Sequence, residues 1–208
     1  MTRLIFCVFL HLQVRGVENL KGLSAKNGVI FAVNHSSELD PILIPASLPF
    51  LSPLMPMFYT SRERSFYKNS GWRQYFYGGF LFEVWGSHAL HSGKHNYEIS
   101  LSTHIGLLKA GKSLCIFPEG RKTRDGQINL EAHGGVAYLC HRMGTVVIPV
   151  HINGAWNTSF GEFILGKRRV SVSYGRPMAP KKLLMKDNPA IEDFKEKAGV
   201  VMRKIARL

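Results

Sequence analysis

Two apolar runs constrain this chain more than any other feature: Val29-Ile30-Phe31-Ala32-Val33 and Ser113-Leu114-Cys115-Ile116-Phe117. Both are short, rich in β-branched or aromatic residues and free of polar alternation, so each reads as a buried strand. Each run also leads straight into a polar constellation. His35-Ser36-Ser37-Glu38-Leu39-Asp40 follows the first, and Pro118-Glu119-Gly120 follows the second. Polar groups at the carboxyl ends of two buried strands predict a shared site on the rim of an α/β sheet.

The rest of the chain fits that architecture. Strands are expected at about 8–15, 28–33, 79–84, 113–117, 145–152 and 168–174, and helices at about 37–47, 62–76, 95–110, 130–143 and 189–206. Their alternation predicts one α/β domain over residues 1–208, with a largely parallel or mixed sheet flanked by helices. No internal repeat or low-complexity linker interrupts it. Tyr97, Leu101, Ile105 and Leu108 share one helical face, and Gly111 follows where a left-handed cap is easy.

Composition narrows the setting. With 27 Lys and Arg against 14 Asp and Glu, the formal charge is +13. That excess draws polyanions, including anionic lipid surfaces, phosphorylated cosubstrates and nucleic acid. The three cysteines, Cys7, Cys115 and Cys140, have neither disulfide-framework nor zinc spacing, which suits a reducing, cytoplasmic compartment. The apolar stretch Leu4–Leu10 is far short of the roughly 20 residues a spanning helix requires. No small-residue cleavage site follows it, so a signal peptide is not expected. Leu10 to Gly16 alternates like a half-exposed strand, and the chain is expected to open on it. Asn34-His35-Ser36 and Asn157-Thr158-Ser159 match the glycosylation pattern but lack an export signal to give it meaning.

His35 and Asp40 form the candidate catalytic pair. A carboxylate beside an imidazole fixes the ring tautomer and stabilises the imidazolium formed on proton uptake. On a continuous helix two residues five apart diverge by about 140°. Ser37 and Asp40 have capping-box spacing, which opens a helix there and leaves His35 just outside it, free to fold back. The plain alternative is a helix-entry histidine and an ordinary first-turn acid. Signals for a nucleophile are weak: G-x-S-x-G is missing, and Ser65-Phe66-Tyr67-Lys68 lacks the companion motifs of S-x-x-K enzymes. A base without a nucleophile implies proton removal from a substrate hydroxyl or thiol, and direct group transfer.

Other motifs fail on context. Gly106 to Ser113 fits the P-loop pattern, but a helix precedes it and a strand follows, the reverse of a phosphate-binding loop. His88, His91 and His95 are spaced like metal ligands, yet Gly93 interrupts them and no cysteine or carboxylate cluster completes a site. No metal is expected. Between Phe58 and Trp85, aromatic residues mix with Arg62, Arg64, Lys68 and Arg73. That mixture suits a membrane interface, or less readily stacked nucleic-acid bases, or simply a core helix with a solvated basic face.

Taken together, the motifs resemble the glycerolipid acyltransferase family, whose best-known members acylate 1-acyl-glycerol-3-phosphate to phosphatidic acid. Asn34 to Asp40 looks like its first motif, Phe117 to Gly126 like its third, and Val147-Ile148-Pro149-Val150 like its fourth. Gly175-Arg176-Pro177 resembles a late strand-end signature. The likeness runs over about residues 10 to 180.

The resemblance implies that His35 is the general base and Asp40 its orienting partner, with acyl-CoA or acyl carrier protein as thioester cosubstrate and no other cofactor. It makes Glu119, Gly120, Arg121, Lys122 and Arg124 the acceptor-binding residues. Lys122 takes the place of the family's arginine at the acceptor phosphate, Gly120 permits close backbone approach, and Glu119 braces its loop. It implies a lipid acceptor at an anionic membrane surface, peripheral on the inner face, with no role for nucleic acid. The departures are Arg121 and Lys122 in the third motif and Trp85 where the second motif ends in a basic residue. They leave the transfer chemistry and bear on the acceptor, which could instead be a lyso-aminolipid. A non-catalytic membrane-binding module of the same fold is the remaining alternative.

Overall fold

The computed structural model describes residues 2–24, 26, 28–61, 86–90, 96–183 and 189–208. Among these residues seven strands form one sheet: β1 Gln13–Arg15, β2 Val29–Val33, β3 Met57–Ser61, β4 Ser87–Ala89, β5 Ser113–Ile116, β6 Val146–Asn153 and β7 Ser171–Tyr174. Their spatial order is β1-β7-β6-β2-β5-β3-β4. Every neighbouring pair is parallel except β6 and β7, so the sheet is mixed. The helices are α1 Thr2–Phe9, α2 Asp40–Ser47, α3 Tyr97–Ser100, α4 Ser102–Lys109, α5 Gly135–Met143, α6 Phe160–Ile164 and α7 Ile191–Ile205. The chain is a single α/β domain, as the alternation of elements predicts.

β2 lies between β5 and β6 and is buried along its whole length. Val29, Phe31 and Val33 face a core shared with Phe6, Leu10, Leu43 and Ile44 of the α1–α2 side. Ile30 and Ala32 face the opposite core, built with Ile105, Leu139, Val201 and Ile205 from α4, α5 and α7. Two covered faces explain why the strand shows no polar alternation. Leaving β2 the chain goes on to β3 beyond β5, whereas leaving β5 it crosses β2 to reach β6. Connections departing in opposite directions open a crevice at the carboxyl ends of the strands. Register completes the arrangement: Ala32 pairs with Ile116, which puts His35 level with Glu119.

Several boundaries differ from the sequence reading. The expected opening strand at 8–15 is a helix as far as Phe9, and only Gln13–Arg15 is strand. Phe6 and Leu10, four residues apart, are buried at a helical period, and alternation holds only from Leu10 through buried Leu12 to half-buried Val14. The expected helix 95–110 breaks at Leu101 into α3, capped by Asn96, and α4. The helix expected from 130 starts at Gly135, because the preceding residues belong to the loop that forms the site. Short β3 and β4 and helix α6 were not anticipated. The α6 start carries a legible signal, the reciprocal Ser159/Glu162 capping box. The strand expected at 79–84 and the helix at 62–76 lie outside the described residues. Among the described residues, no helix is long and apolar enough to cross a membrane.

Candidate active site

The site is assembled from the turn after β2 outward. Asn34 locks the strand end to β6: its Nδ2 donates to the Ile152 carbonyl at 2.9 Å, and its Oδ1 accepts from Ile152 N–H at 2.7 Å. The next four residues curl around Asp40, the first residue of α2. Asp40 Oδ2 accepts from the backbone N–H of Ser36 at 2.6 Å and of Ser37 at 2.8 Å. Its Oδ1 accepts from the Ser36 and Ser37 hydroxyls at 3.3 and 2.7 Å. Asp40 is fully buried. A buried carboxylate is tolerable only when donors replace its water, and this one has four before the histidine is counted.

His35 supplies the fifth. Its Nδ1 lies 2.9 Å from Asp40 Oδ2, so Nδ1–H donates and Nε2 is left as the basic nitrogen. The imidazole stacks on Phe117 with 4.2 Å between ring centroids and 21° between planes. Its side chain is 20% exposed, which leaves an open edge on an otherwise fixed ring.

The second loop is tied to the first through the backbone. Glu119 Oε1 accepts from the N–H of His35 at 2.8 Å, and Oε2 from the N–H of Asn129 at 3.2 Å. Thr123 N–H donates to the His35 carbonyl at 2.8 Å. Both main-chain polar groups of His35 are therefore held by the loop 84 residues later. Burial pushes the Glu119 carboxyl above its usual range, opposed by the two N–H groups it receives. Gly120 has φ +67°, and a Cβ there would come within 2.4 Å of the His133 ring. The glycine thus admits an imidazole alongside the loop.

The three basic residues of this loop are exposed. Lys122 Nζ makes an ion pair with Glu38 of the first motif, and both side chains are nearly half exposed. Arg121 and Arg124 make no ion pair with a described residue. Asp125 accepts from Thr123 Oγ1 at 2.8 Å and from Gln127 N–H at 3.0 Å, which turns the loop back on itself. Within the loop lies a cleft of about 350 Å³ lined by Glu119, Arg121, Lys122, Arg124 and Ile128. On the other side of Asp125–Gln127 a second cleft, about 340 Å³, is bounded by Asn34, Ser36, His151, Trp156 and Arg168. Burial holds the His151 imidazole below its usual range, favouring the neutral ring. Asn34 and Ser36, on either side of His35 in the chain, border the second cleft, and Glu119, which accepts the His35 N–H, borders the first.

Structure and sequence reading meet unevenly here. His35 and Asp40 are in direct contact. Glu119 spends both carboxylate oxygens on backbone amides, so its place is beneath the cleft as a brace rather than as a group free for a ligand. Lys122 borders the cleft but is already paired. Sequence reasoning overlooked Asn34, Glu38 and Asn129, although Glu38 stands in plain view within the first motif. Cys115 and Cys140 are buried; burial pushes the Cys115 thiol well up and that of Cys140 to about 12, so neither is a nucleophile. The P-loop-like segment runs from α4 into β5, helix to strand. His88 lies on β4, while His91, His95, Ser65–Lys68 and Trp85 fall outside the described residues. No group of three or more metal-ligating side chains occurs among the described residues.

The histidine–aspartate pair and the basic, glycine-containing loop thus meet at the carboxyl ends of β2 and β5, on one rim of the sheet. The family model described as Acyltransferase matches residues 11–153, and the chain belongs to that family. Among solved structures it is similar to that of PlsC, the 1-acyl-sn-glycerophosphate (LPA) acyltransferase from Thermotoga maritima. The TM-score is 0.63 at 19% identity, over 99% of this chain and 75% of that one. The match shows a shared α/β fold.

Proposed function

We propose that this acyltransferase moves a fatty acyl chain from the thioester of acyl-CoA or acyl carrier protein to the free hydroxyl of 1-acyl-glycerol-3-phosphate or a similar lysophospholipid. The observation that carries this reading is the bond from His35 Nδ1 to a buried, fully hydrogen-bonded Asp40, which leaves Nε2 as the basic nitrogen of a ring that is partly open to solvent. Nε2 takes the acceptor hydroxyl proton as its oxygen attacks the thioester carbonyl. The carbon–sulfur bond breaks, and the departing thiolate takes the proton back from the imidazolium. Asp40 supports the transient positive ring throughout. No covalent enzyme intermediate forms.

The cleft beside Arg121, Lys122 and Arg124 suits a phosphate, since charge-assisted contacts are roughly twice as strong as neutral ones. Glu38 within the same group supports a second reading, a lyso-aminolipid acceptor whose cation meets the carboxylate. A non-catalytic module would have no use for a histidine positioned by a buried acid. The lipid acceptor and the net charge of +13 favour peripheral residence on the cytoplasmic face of an anionic membrane. The likeness to an LPA acyltransferase supports a place in phospholipid synthesis.

The test is acyl transfer by purified protein, with 1-acyl-glycerol-3-phosphate, monoacylglycerol and a lyso-aminolipid at equal concentration. Preference for the phosphate-bearing acceptor is expected. A preference for the lyso-aminolipid transfers the assignment to the second reading, and no turnover with any acceptor or donor overturns both.

A further inference from the structure

Among the described residues, the six most exposed large hydrophobic side chains fall on three segments, while Ile99, Leu130 and Leu208 lie elsewhere and are less exposed. Leu4 and Val8 on α1 are 68% and 56% exposed, Phe50 and Leu51 after α2 are 93% and 85%, and Phe160 and Leu165 at α6 are 78% and 66%. Three separate segments thus present apolar side chains to solvent. Their neighbours join them. The Arg3 guanidinium at the start of α1 donates to the carbonyl of Leu48, two residues before Phe50, at 3.3 Å. At the other end of α1, Phe9 stacks on Phe163 of α6 at 5.5 Å, and Phe6 meets the same ring edge-on at 6.4 Å. α1 is the bridge, and its polarity is inverted for a surface helix: it buries only Phe6 and shows Leu4 and Val8 to water. At the loop tip, Leu51 holds φ +61°, a conformation costly for a leucine, while pointing its side chain into solvent. Nothing inside the fold is gained by either choice.

The charge around this face has one sign. Residues 2–10 and 48–55 contain no acid, and the single acid of 159–169, Glu162, is paired with Arg168. Arg3, Lys167 and Arg169 stand exposed on the same segments. An apolar face with a cationic border matches an anionic bilayer, which takes apolar side chains beneath its headgroups and cations at them. A second copy of the chain would bring its own cations against these.

We infer that the face formed by α1, the Phe50–Leu51 tip and α6 docks on an anionic lipid surface. Its connection to the clefts is covalent: α6 follows directly on the Ile152–Trp156 segment that walls the second one. The choice of lipid over protein as occupant rests on the lipid-acceptor reading; the exposed face itself does not.

The experiment is flotation of the full chain with vesicles of equal parts phosphatidylcholine and phosphatidylglycerol. Compared variants are Phe50→Ser with Leu51→Asn, and separately Leu4→Ser with Val8→Ser. All four side chains are exposed, and an unchanged thermal melt verifies folding. Each double variant should lower vesicle partitioning at least about tenfold, because even partial burial of two large apolar side chains is worth that much. Pure phosphatidylcholine should bind more weakly than the mixture, and part of the binding should survive high salt. Turnover on a short-chain, monomeric lysophosphatidate should be unchanged in both variants. Partitioning equal to wild type in both sinks the docking face. A wild-type dimer in sedimentation equilibrium that both variants dissolve, with no vesicle binding, identifies a second copy as occupant and also overturns the proposal. Lost vesicle binding in a protein that acylates no acceptor leaves the face standing and the acyl-transfer reading fallen.

Discussion

The two halves of the site are built on opposite principles. Around Asp40 everything is dry and committed: a buried carboxylate, five donors and an imidazole clamped between aspartate and phenylalanine. In the Arg121–Arg124 loop everything is wet: three exposed cations, one held only by an equally exposed Glu38. Low dielectric and full satisfaction fix geometry, whereas solvent screening leaves charges adjustable. On the proposed function, chemistry common to all acyl acceptors falls to the rigid half, and recognition of one particular acceptor to the adjustable half.

The sharpest way to break that contrast is His35→Ala. The rigid half should lose about 10²–10⁴-fold in turnover, with a near-native melting temperature, since the ring's edge is open and its main-chain bonds remain. A folded variant retaining more than about a tenth of turnover contradicts a base at this position. Asp40→Asn should also cut turnover severely and, unlike the first change, should lower stability by about 1–3 kcal/mol. An amide turns donors toward donors among Ser36, Ser37 and His35. If activity falls with no change in urea midpoint, the satisfied-carboxylate picture is wrong.

Glu119→Gln probes the hinge between the two halves. Because burial raises the Glu119 pKa, the folded state holds its proton more tightly than the unfolded state. Stability from this group is therefore present at low pH and declines as pH rises from the ordinary value of 4.5 through the raised one. The wild-type chain should show that slope in urea unfolding, and the glutamine variant should flatten it. An unchanged slope would show that another group is responsible.

The smallest effects belong to the wet half. Lys122→Ala should barely alter stability, as exposed pairs contribute about 0–1 kcal/mol. It should raise KM for a phosphate-bearing acceptor about two- to fivefold while leaving donor KM in place. Glu38→Gln should do the reverse to acceptor KM, by releasing the lysine. Identical responses of donor and acceptor kinetics to both changes would remove the acceptor from this loop.

The same contrast decides what the sequence disclosed. β2, β5 and the turns after them were legible because burial on two faces forces unbroken apolar runs, and the histidine–aspartate spacing sits directly after one of them. The long α7 was legible through the regular burial of Phe194, Ala198, Val201, Met202 and Ile205. α1 was not, because its exposed side is as apolar as its buried one and conceals the period. β3 and β4, five and three residues long, are too short to declare a pattern. The Glu38–Lys122 pair was hidden for a different reason: solvent-exposed charges 84 residues apart leave no periodic trace. Glu119 could be read as a brace because a carboxylate repels phosphate, but its His35 amide partner depends on the register of β2 against β5, and its Asn129 partner on the path of its own loop.

That register has a consequence for hydrogen exchange. Loop amides usually exchange within moments, since water reaches them without any unfolding. The amides of His35 and Thr123 lie in loops, yet each is given to an acceptor in the other loop, placed by the meeting of β2 and β5. To expose them the chain must part the two loops at the ends of the central strands. These two should exchange on the timescale of the strands beside them, marking the rim of the crevice as part of the most slowly opening unit of the molecule.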